Sequence, residues 1–156
     1  MLRRQLLAAV GVGLAGCINP DGQQEANGNG DSTELSLSSL AFDDGGEIPT
    51  EYTCYGANNS PPLRIDGVPE EAETLTLIVD DSDVPTPNRR FVHWLLWNLP
   101  ADTEQVPQSV PRGPSVSELG GARQGTNDAD EVGYSGPCPP GADEPHTYRF
   151  LLYAVD

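Results

Sequence analysis

Thr74-Leu75-Thr76-Leu77-Ile78-Val79-Asp80-Asp81-Ser82-Asp83-Val84-Pro85, followed shortly by Phe91-Val92-His93-Trp94-Leu95-Leu96-Trp97-Asn98-Leu99-Pro100, is the stretch on which the fold turns. The first run is nearly continuous Thr, Leu, Ile and Val, the composition of a strand buried on both faces. Phe91 to Leu99 is a second apolar strand, ended by Pro100, which has no N–H to offer a ladder. Between the two, carboxylates and Pro85 turn the chain. Thr147 to Val155 reads as a third strand, with Tyr148, Phe150 and Leu152 on one face and Arg149, Leu151 and Tyr153 on the other. Leu35, Leu37 and Leu40 open a half-buried strand, and Phe42 to Pro49 carries the turn signal Asp-Asp-Gly-Gly. No segment shows convincing helical periodicity. Fifteen Pro and 17 Gly fit many turns, and Pro100 to Tyr134 reads as one long loop. The pattern predicts a mainly β, antiparallel domain, Greek-key or sandwich-like.

The 156 residues allow one domain with a real core. The formal charge is -16, from 24 acidic and 8 basic residues, and every basic residue is Arg. A chain this acidic lacks the cationic track that a phosphate backbone requires, so nucleic acid is excluded as a partner. Dense carboxylates suit a protein kept soluble in high salt, where counter-ions screen their repulsion. An acidic face for a cationic partner is the other reading.

Residues 1–16 read as an export signal: Arg3-Arg4-Gln5-Leu6-Leu7 is a basic start, an apolar middle follows, and Leu14-Ala15-Gly16-Cys17 is a small-residue end. The twin Arg before Leu-Leu resembles a twin-arginine signal, and Leu-Ala-Gly-Cys resembles a lipobox that leaves Cys17 as a lipidated N-terminus. Residues 17–33 are then the lipidated Cys and a flexible linker of Gly, Asn, Gln and Asp. The domain occupies residues 34–156. The expected location is the outer surface of the cytoplasmic membrane, as an anchored lipoprotein.

With Cys17 lipidated, Cys54 and Cys138 remain, either as a disulfide or as two buried thiols. No Cys-x-x-Cys or similar spacing predicts a metal site, and no cofactor is expected. Both histidines of the chain, His93 and His146, sit on apolar strand-like segments beside a loop rich in Asp, Pro or Gly. Alternation sets His93 with Phe91 and Leu95, and Trp94 on the opposite face. A lone buried His is commonly a satisfied core residue; a second in the same setting, with Tyr148 two residues on, points to a polar pocket. Asp80, Asp81 and Asp83 would supply a partner carboxylate for an imidazole. Gly133-Tyr134-Ser135-Gly136-Pro137-Cys138-Pro139-Pro140-Gly141 reads as a rigid turn whose N–H groups could cradle an anion, or simply as a stiff loop.

In their order, Ile48-Pro49-Thr50-Glu51-Tyr52-Thr53-Cys54, Asn59-Ser60-Pro61-Pro62-Leu63, Asp81-Ser82-Asp83-Val84-Pro85, Val92-His93-Trp94 with Asn98-Leu99-Pro100, Gly125-Thr126-Asn127, Gly133 to Pro140 and His146-Thr147-Tyr148-Arg149-Phe150 resemble the phosphatidylethanolamine-binding protein family, in its prokaryotic Raf-kinase-inhibitor-like branch. The resemblance covers about residues 35 to 156. It implies an antiparallel β-fold with a large central sheet and a smaller second sheet, here with its C-terminal part missing. It implies a pocket for phosphate, acetate or a phosphoethanolamine-like headgroup, in which Asp81, His93, Gly136, Pro137, His146 and Tyr148 take the binding positions. It makes Val84–Pro85 a candidate cis bond. Ser82 stands where the family usually has Pro, and Thr147 where it usually has Arg.

The expected function is therefore binding, not catalysis: a membrane-anchored protein whose partner is a small anion or phospholipid headgroup. The alternative is an inhibitor of a protease or kinase acting through the loop Val106 to Leu119, which carries Arg112. No Gly-x-Ser-x-Gly or comparable nucleophile motif supports a hydrolase.

Overall fold

A computed structural model describes residues 34–85, 89–139 and 145–156. The stretches read as export signal and linker, with Cys17, and also Pro140 and Gly141, lie outside these residues. Among the described residues eight strands run β1 Ser36–Ser39, β2 Leu63–Asp66, β3 Thr74–Asp81, β4 Phe91–Pro100, β5 Gln105–Val106, β6 Ser115–Val116, β7 Ala122–Gln124 and β8 Tyr148–Val155. The only helical turns among the described residues are two short 3-10 turns, Thr50–Tyr52 and Ser117–Leu119. The strands form two antiparallel sheets, a five-stranded one in the order β6-β7-β4-β3-β8 and a three-stranded one in the order β1-β2-β5. This is the expected mainly β fold with a large and a small sheet.

One core joins the sheets. Leu75, Leu77 and Val79 of β3 and Trp94 and Leu96 of β4 meet Leu63 and Ile65 of β2, all nearly fully buried. Each such side chain contributes about 1.5–3 kcal/mol by leaving water. Tyr148 onward alternates as expected, with Phe150, Leu152 and Ala154 packed against that core.

The segment after β4 departs from the sequence reading. Pro100 to Tyr134 is not one long loop: it holds β5, β6, β7 and the second 3-10 turn. Its apolar residues, Val106, Val110, Val116, Leu119 and Ala122, are spaced as single anchors, each buried in the core. The buried Gln124 fastens it further, accepting from Trp94 Nε1 at 2.7 Å and donating to the carbonyls of Pro111 and Gly113 at 2.8 and 2.9 Å. Every peptide bond among the described residues is trans, so Val84–Pro85 is not the cis bond that the resemblance made it a candidate for.

The pairing of β3 with β8 is unbroken from Thr74↔Val155 to Asp81↔Tyr148. The pairing with β4 is not: Val79 faces Trp94 and the next residue, Asp80, faces Val92, which leaves His93 without a partner in β3. This β-bulge inserts one residue into β4 and breaks its alternation. His93 and Trp94, neighbours in sequence, are consequently both buried, at 4% and 0% exposure. Strict alternation would have set them on opposite faces.

Candidate functional site

The ends of β3, β4 and β8 meet below the bulge. Asp81 closes β3, His93 is the extra residue of β4, and Tyr148 opens β8 directly opposite Asp81. His146, two residues before Tyr148, reaches back to Asp81, its Nδ1 2.7 Å from Oδ2. Tyr148 stands between the two imidazoles. Its ring is edge-on to His93 with centroids 5.4 Å apart and stacked on His146 at 6.3 Å. The Phe91 ring packs on the His93 imidazole at 4.8 Å.

The three carboxylates of the strand end separate into three tasks. Asp80 is buried and takes a bidentate pair from Arg149, Nε and Nη2 each at 2.8 Å, with Arg90 Nη1 at 3.3 Å. Asp81 is buried and holds His146. Asp83 is exposed; the N–H of Thr147 donates to it at 2.7 Å, and that bond holds its carboxyl below the usual carboxylate range. The imidazole paired with a carboxylate is thus His146, not His93.

His93 is held by backbone instead. Its Nδ1 lies 2.7 Å from the carbonyl of Ser135, and the N–H of Ser135 donates back to the His93 carbonyl at 3.0 Å. Burial pushes the His93 imidazole below its ordinary pKa, against the opposing pull of the Ser135 carbonyl and of Asp81, Asp128 and Asp80. The Tyr148 hydroxyl is buried and has no hydrogen-bond partner among the described residues. Burial first, then the negative charge of Asp81 nearby, pushes its pKa up to about 12, so it stays a donor.

Within the loop Gly133 to Pro139, the N–H groups of Ser135 and Gly136 are already engaged within the protein. Ser135 spends its N–H on His93, Gly136 donates to Asn58 Oδ1 at 2.7 Å, and Pro137 has no N–H. What the glycine provides is proximity: a Cβ at Gly136 would collide with the carbonyl oxygen of Tyr52. Pro137 accepts from the N–H of Cys54, and the adjacent Cys54–Cys138 disulfide, with Cα atoms 5.4 Å apart, locks the two loops together. Pro137 therefore forms part of the wall, Gly136 packs against the Tyr52 backbone, and neither presents a free backbone donor.

Two residues without an assigned role in the sequence reading matter here. Asn127 is buried; its Nδ2 donates to the carbonyls of Gly133 at 2.9 Å and His93 at 3.3 Å, and its Oδ1 accepts from the N–H groups of Ala129 and Glu131. Asn58, with φ 56, presents the side chain that takes up Gly136. The motif Gly125-Thr126-Asn127 carried a signal for the first; Asn58 had none beyond the tolerance of Asn for a left-handed backbone.

A cavity of about 940 Å³ opens beside these groups, lined among others by Tyr55, Pro137, His146, Tyr148, Phe42 and Phe150. His146 and Tyr148 reach its wall. Asp81 and His93 are not among its lining residues and sit buried in contact with those two. Among the described residues no group of three or more His, Cys, Asp or Glu is placed to hold a metal ion.

A two-sheet antiparallel β-fold with a small, partly buried His–Asp–His–Tyr constellation beside a cavity defines the class. The chain belongs to the phosphatidylethanolamine-binding protein family: the family model described as phosphatidylethanolamine-binding protein matches residues 38–156. It is 45% identical over 122 residues to a UPF0098 protein of Methanothermobacter thermautotrophicus, covering 78% of this chain and 77% of that one. It resembles the crystal structure of a phosphatidylethanolamine-binding protein homolog from Chlamydia trachomatis, at 40% identity and a TM-score of 0.67, covering 78% of this chain and 75% of the other. It also resembles E. coli YbcL, described as a member of the mammalian family, at 34% identity and a TM-score of 0.72, covering 78% and 77%.

Proposed function

We propose that this family member is a binding protein for a small anion or a phosphoethanolamine-like headgroup, held outside the cell by lipidated Cys17. The observation that carries the pocket is the Tyr148 hydroxyl, buried and without a partner among the described residues, on a ring packed against both imidazoles at the edge of a cavity. A buried donor left unsatisfied costs about 1–3 kcal/mol, and a ligand oxygen would remove that cost. The aromatic walls from Phe42, Tyr55 and Phe150 suit the rest of a headgroup. Export is supported by the Cys54–Cys138 disulfide, since such bonds persist in oxidising compartments. Catalysis has no nucleophile assigned to it in this reading.

Titration calorimetry of the full chain with phosphorylethanolamine tests it. Saturable binding is expected, weakened about tenfold or more by Tyr148→Phe, the loss of one hydrogen bond to a charged group being worth about 1.5–3 kcal/mol. Because the hydroxyl has no partner among the described residues, Tyr148→Phe should leave the melting temperature unchanged or raise it. Absence of saturable binding with a normal melting curve sinks the headgroup reading. The remaining alternative, inhibition through Val106 to Leu119, would then be assayed against proteases with His93→Ala, which should spare a loop-borne activity.

A further inference from the structure

Two loops, residues 52–58 and 134–139, meet beside the cavity, and the hydrogen bonds that join them run from buried to exposed. Deepest is the Tyr134 hydroxyl, on a buried ring, donating to the Tyr52 carbonyl at 2.7 Å. Next come the Gly136 N–H to Asn58 Oδ1 at 2.7 Å and the Cys54 N–H to the Pro137 carbonyl at 3.1 Å. Outermost is the hydroxyl of Tyr55, a residue 68% exposed, donating to the Pro139 carbonyl at 3.0 Å.

The Cys54–Cys138 disulfide joins the same two loops. Thr53 and Tyr55 flank one cysteine, Pro137 and Pro139 flank the other, and all four line the cavity. The cysteines themselves are not among its lining residues, so the bond acts on the cavity through its neighbours. It is also open to attack, with Cys54 half-buried and Cys138 exposed. Disulfides that only staple a secreted fold resist reduction, whereas exposed ones belong to the labile and regulatory kind.

We propose that the Cys54–Cys138 disulfide is a redox-sensitive clasp on the pocket: the bridged form sets Tyr55 and Pro139 for binding, and reduction by a dithiol weakens it. The inference rests on the headgroup-pocket reading and adds to it a means of control.

The step balances with the dithiol as reductant. Its thiolate attacks the exposed Cys138 sulfur, the S–S bond breaks, and Cys54 leaves as a thiolate and takes a proton. The second thiol of the reductant then displaces Cys138 from the mixed disulfide and closes a cyclic disulfide. Two electrons pass to the protein, and both cysteines end as thiols.

The remaining bonds limit what reduction frees. Tyr134, Gly136 and the Cys54 N–H still hold the inner part of the contact, and Ser135 keeps both of its bonds to His93. Asp81 holds His146, and the ladder with β3 holds Tyr148, neither through the disulfide. Beyond Pro137 the two loops are joined among the described residues by the Tyr55–Pro139 bond, which is exposed to competition from water. The change therefore falls on the outer rim and spares the Tyr148 donor, so binding is weakened and not abolished. By linkage, a bound ligand protects the disulfide from reduction by the same factor that reduction costs in affinity.

The test uses the full chain, with Cys17 capped by iodoacetamide while Cys54 and Cys138 are bridged. Calorimetric titration with phosphorylethanolamine is run on the oxidised protein, after dithiothreitol, and after reoxidation. Free thiols are counted and a melting curve is recorded for each form. Reduction should raise Kd about fivefold or more, the lower end of ordinary coupling between sites. Reoxidation should restore the original Kd. Cys54→Ser combined with Cys138→Ser should bind as the reduced form does and ignore dithiothreitol. Saturating phosphorylethanolamine should raise the ratio of reduced to oxidised dithiothreitol needed for half-reduction by the same factor, a shift that a purely structural staple would not give. Fully reduced, folded protein that binds as tightly as the oxidised form overturns the clasp and leaves the pocket reading intact. A reduced chain with no melting transition also overturns it, because the bond is then a staple of the whole fold. No saturable binding by the oxidised protein overturns the pocket reading and this inference with it.

Discussion

His93 is the residue at which burial and charge compete most directly. Its folded pKa lies below the ordinary value of 6.5. Between the two values the unfolded chain binds the extra proton, so stability is fully present above the ordinary pKa and is lost as pH falls through the folded one. Melting temperature measured from pH 7.5 down to 4.5 should decline over that window in the free protein, and less so in His93→Gln. Asp83 acts in the same direction, but only below its ordinary value of 3.8, so the two contributions separate. A difference curve that is flat from pH 7 to 4.5 would show that His93 is charged or solvated in the fold. The residue types of this site were legible in the sequence: Asp81, His93, His146 and Tyr148 do meet. Their pairings were not. Nothing in a residue's identity says that His93 will bond the Ser135 carbonyl, or that the Gly136 N–H will be spent on Asn58.

Among the elements, β3, β4 and β8 were legible because seven or more residues of apolar or alternating character leave little else to form. β5, β6 and β7 have two or three residues each, too few for a period to register, and their segment read as loop. The bulge at His93 was also invisible, since one inserted residue leaves no mark in composition. What holds β8 beside β3 near that bulge is the Asp80–Arg149 pair, a register contact of the ladder reinforced through two hydrogen bonds. Asp80 is 2% exposed, and Arg90 is its other cation among the described partners. Arg149→Met keeps the apolar stem and removes the fork. It should cost about 2–4 kcal/mol, somewhat less than the ~3–5 kcal/mol of breaking a fully buried pair, because Arg149 is partly exposed and Arg90 still reaches Asp80. Urea unfolding measures the loss, and Asp80→Asn combined with Arg149→Met should recover part of it, since no buried charge is then stranded. A cost under about 0.5 kcal/mol for Arg149→Met would mean that Arg90 alone satisfies Asp80.

For the whole molecule the governing fact is a formal charge of -16 with only eight cations. Four of those cations are already committed at close range: Arg64 to Asp66, Arg112 to Glu131, and Arg90 and Arg149 to Asp80. Most carboxylates of the described residues have no close cationic partner, and folding draws like charges together. The Debye length falls from about 10 Å at 0.1 M salt to about 3 Å at 1 M, which removes repulsion between exposed charges while touching the buried Asp80 cluster little. Melting temperature should therefore rise steadily with potassium chloride from 0.1 to 2 M. The same field bears on the pocket. At an ordinary cationic anion site salt weakens binding, because it screens attraction. Here the long-range field repels an anion and only the local donors attract it, so the early part of the salt series should strengthen binding before chloride competes for the site. A melting temperature that falls with salt, joined to an affinity that falls from the first addition, would mean that local ion pairs outweigh the net charge. The pocket would then sit in a positive potential despite the acidity of the chain.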